Sequence, residues 1–287
     1  MASSSCTDGS WRARLDAARA AGHVGDLLLL ADEAPLAECQ AEACIDAAKL
    51  LREAGQYDFA LEQLDRALAI DSHNAAGLRE QALCRQHPVL AEAAGGRWQP
   101  RQVLLFSGHL VDAPDRPTPR FPADKVARAS EAIAATLVQL DAGSEDLALT
   151  QGACGGDLLF TEACRRQGTR VLWLQPFAEA DFITASVLGG GADWHRRYLE
   201  SRMALAEPPR AAPEALGPVP PGHGDSYPYE RCNLWLLYSA LAWGPDRLSL
   251  IALWDGAGGD GAGGTEHMIE EVRRRTGRVH WIDTRKL

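Results

Sequence analysis

Two hydrophobic rhythms divide the chain. From residue 11 to 93 it is rich in alanine and leucine, and apolar positions recur at helical spacing. Residues 41–74 carry the clearest case. Ala47, Ala48 and Leu51 fall on one helical face, Gly55 breaks the helix, and Tyr57, Ala60, Leu64 and Ala67 line one face of the next. The small residues Ala48 and Ala60 allow the two helices to approach closely. Gly95, Gly96 and Pro100 then mark a boundary, which predicts a helical module over 1–97 and a second unit over 98–287.

In the second unit the pattern changes to short apolar runs separated by amphipathic stretches. Strands are predicted at 103–107, 146–150, 170–175, 248–254 and 278–283. Helices are predicted at 122–140, where Pro122 opens the segment, at 155–167, within 179–206, near 230–242 and at 264–276. A proline- and glycine-rich loop, 207–229, interrupts the series as a candidate flap. Apolar strands without strict alternation are buried on both faces, which a parallel sheet between two helical layers provides. The expected class is therefore α/β, a doubly wound, mostly parallel sheet with an N-terminal α-helical module. Ligands of such sheets lie beyond the carboxyl ends of the strands.

Three loops at those ends carry candidate chemistry. In 107–122, Ser107 and Gly108 end a strand where backbone can approach a ligand, and His109, Asp112, Arg116 and Arg120 follow. The arginines can pair with phosphate or carboxylate; alternatively Asp112 clips the loop to Arg116 or Arg120. In 150–164, Gly152, Gly155 and Gly156 lead directly into a helix, whose free N–H groups and dipole form an anion site. Asp157 there either caps the helix or accepts from a ribose hydroxyl. Cys154 reads as a small loop residue in preference to a nucleophile, because no histidine stands in a fixed sequence relation to it.

The third loop, 254–272, places six glycines in nine positions between a strand and a helix. No lysine follows Gly264, so it is not a Walker A loop. Gly256, Gly258 and Gly261 match G-x-G-x-x-G with Asp283 downstream, yet the glycines continue through Gly263 and Gly264 to Thr265, too far for a dinucleotide fingerprint. Asp255 is placed to take sugar hydroxyls.

Composition narrows the function classes. A net charge of −10 argues against binding along a nucleic-acid backbone, and no apolar run is long enough to span a bilayer. The start lacks the apolar segment of a secretory signal. Seven cysteines without a C-x-x-C pair speak against a disulfide framework or a structural zinc site, so no metal is expected and the reading is cytoplasmic.

Residues 41–74, with Ala48, Gly55, Tyr57, Ala60 and Ala67, resemble one tetratricopeptide repeat, with Ser72 where proline is usual. Such a module implies either a protein partner or a helical cap on the second unit. Residues 100–287, with QGACGGD and GAGGTEHM at strand ends, resemble the SLOG superfamily, the Rossmann-like group that includes the Lonely-Guy phosphoribohydrolases and DprA-like proteins. That resemblance implies a nucleotide-type ligand with its phosphate on Gly155, Gly156, Gly264 and Thr265, in bacterial signalling or defence. It also raises an N-glycosidase alternative. Lonely-Guy enzymes carry a glutamate three residues after the threonine; here Met268 stands at that place, leaving Glu266 as the candidate carboxylate. The expectations are thus a nucleotide sensor, an enzyme cleaving an N-glycosidic bond, or a scaffold whose glycine loops are structural.

Overall fold

The computed structural model describes residues 9–85, 98–258 and 264–287. Gly261, Gly263, the Gly95–Gly96 boundary and the expected helical stretch beyond residue 85 lie outside the described residues.

Five helices open the chain: α1 (Gly9–Ala21), α2 (Val24–Asp32), α3 (Ala37–Glu53), α4 (Tyr57–Ile70) and α5 (Ala75–Arg85). Gly55 separates α3 from α4 at φ +78°, a left-handed conformation that glycine adopts without penalty. Ala48, Ala60, Leu64 and Ala67 are fully buried, as their shared faces predict. Asn74 caps α5 by accepting from the Gly77 amide at 3.0 Å.

Six parallel strands follow, β1 (Val103–Gly108), β2 (Leu147–Thr150), β3 (Arg170–Gln175), β4 (Arg210–Ala211), β5 (Leu248–Trp254) and β6 (Val279–Asp283). Their order is β4-β3-β2-β1-β5-β6. The intervening helices are α6 (Val126–Gln139), α7 (Gly156–Arg166), α8 (Glu179–Ser186), α9 (Ala192–Met203), α10 (Ala212–Ala215), α11 (Tyr227–Leu241) and α12 (Thr265–Arg275). The α/β class and the parallel sheet agree with the sequence. β4 and α10 lie at the start of the segment expected to be a loop, and the stretch 179–206 divides into two helices.

Alternate strand residues feed two cores. Leu104, Phe106, Trp173, Ile251 and Leu253 face α6, α7 and α9. Leu105, Leu149, Leu174, Leu250 and Ala252 face the other way, into a cluster that includes α11, α12 and all five N-terminal helices. All seven residues of β5 are buried, which is why its sequence shows no polar alternation.

The N-terminal helices share this second core because α2 packs on α11. Polar anchors fix the seam. Asp26 accepts from Trp235 Nε1 at 2.7 Å and pairs with Arg210. Glu33 accepts from Nε and Nη2 of the buried Arg231 at 2.5 and 2.6 Å. Among the described residues, no helix is long and apolar enough to cross a membrane.

Candidate functional site

β1 and β5 are neighbours in the sheet but not in sequence: the chain leaves β1 toward β2 on one side and returns to β5 on the other. Their carboxyl ends therefore flank the topological switch point, the crevice where open parallel sheets bind ligands. The register sets Gly108 beside Leu253 and thus brings 107–109 against 254–255.

Ser107 Oγ and Thr265 Oγ1 lie 3.2 Å apart, tying the end of β1 to the first turn of α12. His109 anchors its N–H on the Leu253 carbonyl at 3.0 Å. Its Nε2 lies 3.1 Å from Asp255 Oδ1 and 3.2 Å from the Asp255 amide nitrogen, which donates to it. A single ring nitrogen cannot accept from the amide and donate to the carboxylate at once, so the two bonds are mutually exclusive protonation states. Burial pushes the His109 pKa down against the pull of Asp255, and favours the neutral ring. Asp255 Oδ1 also accepts from the Ala257 amide at 3.1 Å, closing the turn after β5.

Two further groups reach this crevice. A Cβ on Gly256, which sits at φ +75°, would stand 2.9 Å from Arg285 Nη2. That arginine is held by Asp283 at 2.9 and 2.8 Å. Glu266 Oε2 lies 3.9 Å from the place a Cβ would occupy on Gly258, so the carboxylate reaches back over the turn. The sequence places His109 in the first loop without giving it a role, and nothing in the sequence singles out Arg285. His109 and Asp255 are far apart in the chain, and only the parallel pairing of β1 with β5 makes them neighbours.

The first loop is clipped to itself. Asp112 Oδ2 accepts from the Arg120 and Phe121 amides, both at 2.7 Å, and Oδ1 lies 3.4 Å from Arg116 Nε. Arg116 Nε also donates to the Thr118 carbonyl at 3.1 Å. The positive charge of Arg120 contributes to lowering the His109 pKa, so its guanidinium belongs to the crevice electrostatics.

The second loop is occupied by the chain's own backbone. Residues 109–111 run antiparallel to it through a bridge between Leu110 and Gly155. The Gly156 amide donates to the His109 carbonyl at 3.1 Å, and the Val111 amide to the Cys154 carbonyl at 3.2 Å. Each glycine has a packing reason. A Cβ would meet the Trp173 ring at 2.8 Å from Gly152, the Val111 nitrogen at 2.5 Å from Gly155 and the Phe106 ring at 2.9 Å from Gly156. Asp157 Oδ2 accepts from the Gly152 and Ala153 amides, both at 3.2 Å. Its carboxyl is buried, which pushes the pKa up to about 6. Cys154 is buried and its thiol is raised to about 11, so it stays protonated.

Gly155 lies at φ +108°. Gly155→Ala is therefore expected to lower stability by about 1–3 kcal/mol through backbone strain and the collision with Val111. Equilibrium urea denaturation checks this, and a midpoint unchanged from wild type would show that the bridge to residues 109–111 does not form.

From the predicted set, the structure gathers Ser107, Gly108, Asp255, Thr265 and Glu266 at the switch point. Gly264 precedes α12 as its cap residue. Gly152, Gly155, Gly156 and Asp157 lie next to it, engaged by backbone groups. No group of three His, Cys, Asp or Glu side chains suited to a metal ion occurs among the described residues. No protein-family model matches the sequence, and comparison with curated proteins gives no match.

Proposed function

We propose that the crevice between β1 and β5 binds a phosphorylated, nucleotide-type ligand, and that the N-terminal helices report its occupancy to a partner protein. The observation that carries this reading is the Ser107–Thr265 hydroxyl pair, set at the switch point and at the start of an eleven-residue helix. A helix start offers unpaired N–H groups and the positive end of a dipole, and because Ser107 donates its proton to Thr265, the Thr265 hydroxyl adds a neutral donor beside them. Arg120 and Arg285 supply positive charge at the rim, and Asp255 is the acceptor suited to a sugar hydroxyl. Because the Gly156 amide is already bonded to His109, the phosphate donors fall to Gly264, Thr265 and Glu266 rather than to the second loop.

The route to the helical layer is a chain of packed elements. α12 packs on α11, and α11 packs on α2. A shift of α12 on ligand binding is therefore felt at the seam that Asp26 and Glu33 hold.

Thermal denaturation with ATP, cyclic nucleotides, NAD and ADP-ribose tests the reading. A ligand at a hundredfold its Kd is expected to stabilise the wild type by about 2.7 kcal/mol. Thr265→Val is expected to weaken that ligand about tenfold, the worth of one hydrogen bond to a charged group. Absence of a shift with every compound would favour a scaffold. The reach of Glu266 over the turn favours a second reading, cleavage of the ligand's N-glycosidic bond. Free base released by the wild type and abolished by Glu266→Gln would establish it.

A further inference from the structure

The opposite end of the sheet holds a cavity of about 830 Å³. It lies at the amino ends of the strands, since Leu147 and Arg170, the first residues of β2 and β3, line it. The crevice at the carboxyl ends is thus a separate place. Here the end of α11 and the N-terminal helices together roof β2 and β3. The volume falls in the range of small-molecule sites, roughly 300–1,000 Å³.

Its lining states what it would accept. Leu149 and Leu172 form an apolar floor. Trp98 and Trp243 stand edge to face with ring centres 6.2 Å apart, and Tyr57 from α4 joins them. Ring-bearing apolar molecules pack well on such aromatic walls. Most of the lining charge is already neutralised: Arg52 pairs with Glu80 at 2.8 Å, and Arg210 with Asp26. Arg170 differs. Its guanidinium lies 4.7 Å over the Trp98 ring and has no carboxylate partner among the described residues. An arginine stacked on a tryptophan keeps its N–H edge available for an anion. Glu207, exposed on the same rim, has no ion pair among the described residues and would repel a second negative charge.

We infer that this cavity is a second ligand site, built between the helical layer and the sheet, for a small ring-bearing apolar molecule carrying a single anionic group. Its body rests between the tryptophans and the leucine floor, and its anion meets Arg170. Just under half of the lining residues come from the N-terminal helices and the turns that join them, so occupancy stiffens the joint between the helices and the sheet.

The test uses the full chain and two fluorescent probes with the same ring system, anilinonaphthalene sulfonate and the uncharged phenylnaphthylamine. Wild type is expected to bind the sulfonate saturably at one site, about tenfold tighter than the neutral probe, as one charge-assisted hydrogen bond implies. Arg170→Ala should erase that preference while leaving the neutral probe bound. Leu172→Trp, which fills the floor, should remove both. Thr265→Val should change neither, which separates this site from the crevice. Equal affinity for the two probes in wild type, sulfonate binding that persists unchanged in Arg170→Ala and Leu172→Trp, or no saturable binding would each overturn the inference.

Discussion

Glu33→Ala is expected to lower the stability of the whole chain by about 3–5 kcal/mol, the usual cost of leaving one charge of a buried pair without its partner. The Arg231 side chain is 1% exposed and that of Glu33 7%. Arg231 donates from Nε and Nη2 to the two oxygens of Glu33, from Nη1 to the Gly217 carbonyl at 2.7 Å, and from Nη2 to the Leu216 carbonyl at 2.9 Å. Three segments therefore meet on one guanidinium: the end of α2, the end of α10, and α11 itself. Removing the carboxylate leaves a cation that cannot reach water without opening the seam. The double variant Glu33→Met, Arg231→Met discriminates between the pair as a net stabiliser and the pair as a lock. It should cost less than Glu33→Ala, because apolar replacement of both partners spares the stranded charge. Urea midpoints at constant slope read both effects. A loss of under about 1 kcal/mol for Glu33→Ala would mean that solvent reaches the pair and that the helices are not docked on α11 through it.

The same seam explains why the helical layer is difficult to judge from sequence. Periodicity places Ala48, Ala60, Leu64 and Ala67 on inward faces, and those residues are buried. It does not say against what. Asp26, Glu33 and Arg231 read as ordinary solvated charges in the sequence; their burial comes from the docking of α2 on α11, which no local pattern encodes. The sheet was more legible, because burial on both faces writes an apolar run directly into β1, β2, β3 and β5. β4 escaped for the converse reason. Two residues, Arg210 and Ala211, are too few to show any period, and they lie in proline-rich surroundings.

The glycine loops show a different kind of ambiguity. A glycine at a strand end says that something comes within van der Waals reach of its Cα, but not whether that something is a phosphate or another stretch of backbone. At Gly155 and Gly156 it is backbone, residues 109–111, together with Phe106. At the start of α12, among the described residues, no backbone group of another segment bonds the Gly264 or Thr265 amide. Sequence could identify both loops and could not rank them. The ranking follows from the pairing of β1 with β5, which puts the His109–Asp255 couple and α12 at the same crevice.

Asp157 gives the second large effect, with the opposite sign. Its carboxyl is raised to about 6 by burial, against an ordinary value of about 3.9. Between those two pH values the folded protein holds a proton that the unfolded chain has released. Stability therefore falls as pH rises from about 4 to about 6, and above that the folded state carries a burden of about 3 kcal/mol. Asp157→Asn retains an oxygen to accept from the Gly152 and Ala153 amides while removing the charge. It is expected to stabilise the protein by up to about 3 kcal/mol at pH 7 and to abolish this slope. His109 works the other way: its pKa is lowered, so its contribution is present above the ordinary value of about 6.5 and is lost on acidification. In wild type the two trends oppose each other below pH 6; in Asp157→Asn the histidine's should stand alone, with stability falling as the solution is acidified. Denaturation midpoints from pH 5 to 7.5 distinguish the cases. An Asn variant less stable than wild type at pH 7 would show that the amide bonds hold the carboxylate ionised at no cost. If the variant is instead more stable, the natural protein retains a costly buried charge directly behind the segment that carries His109. A group that only closed a turn could be the neutral amide, so ligand affinity should then be compared between the two forms: the charge is being kept for the crevice if affinity falls in the more stable variant.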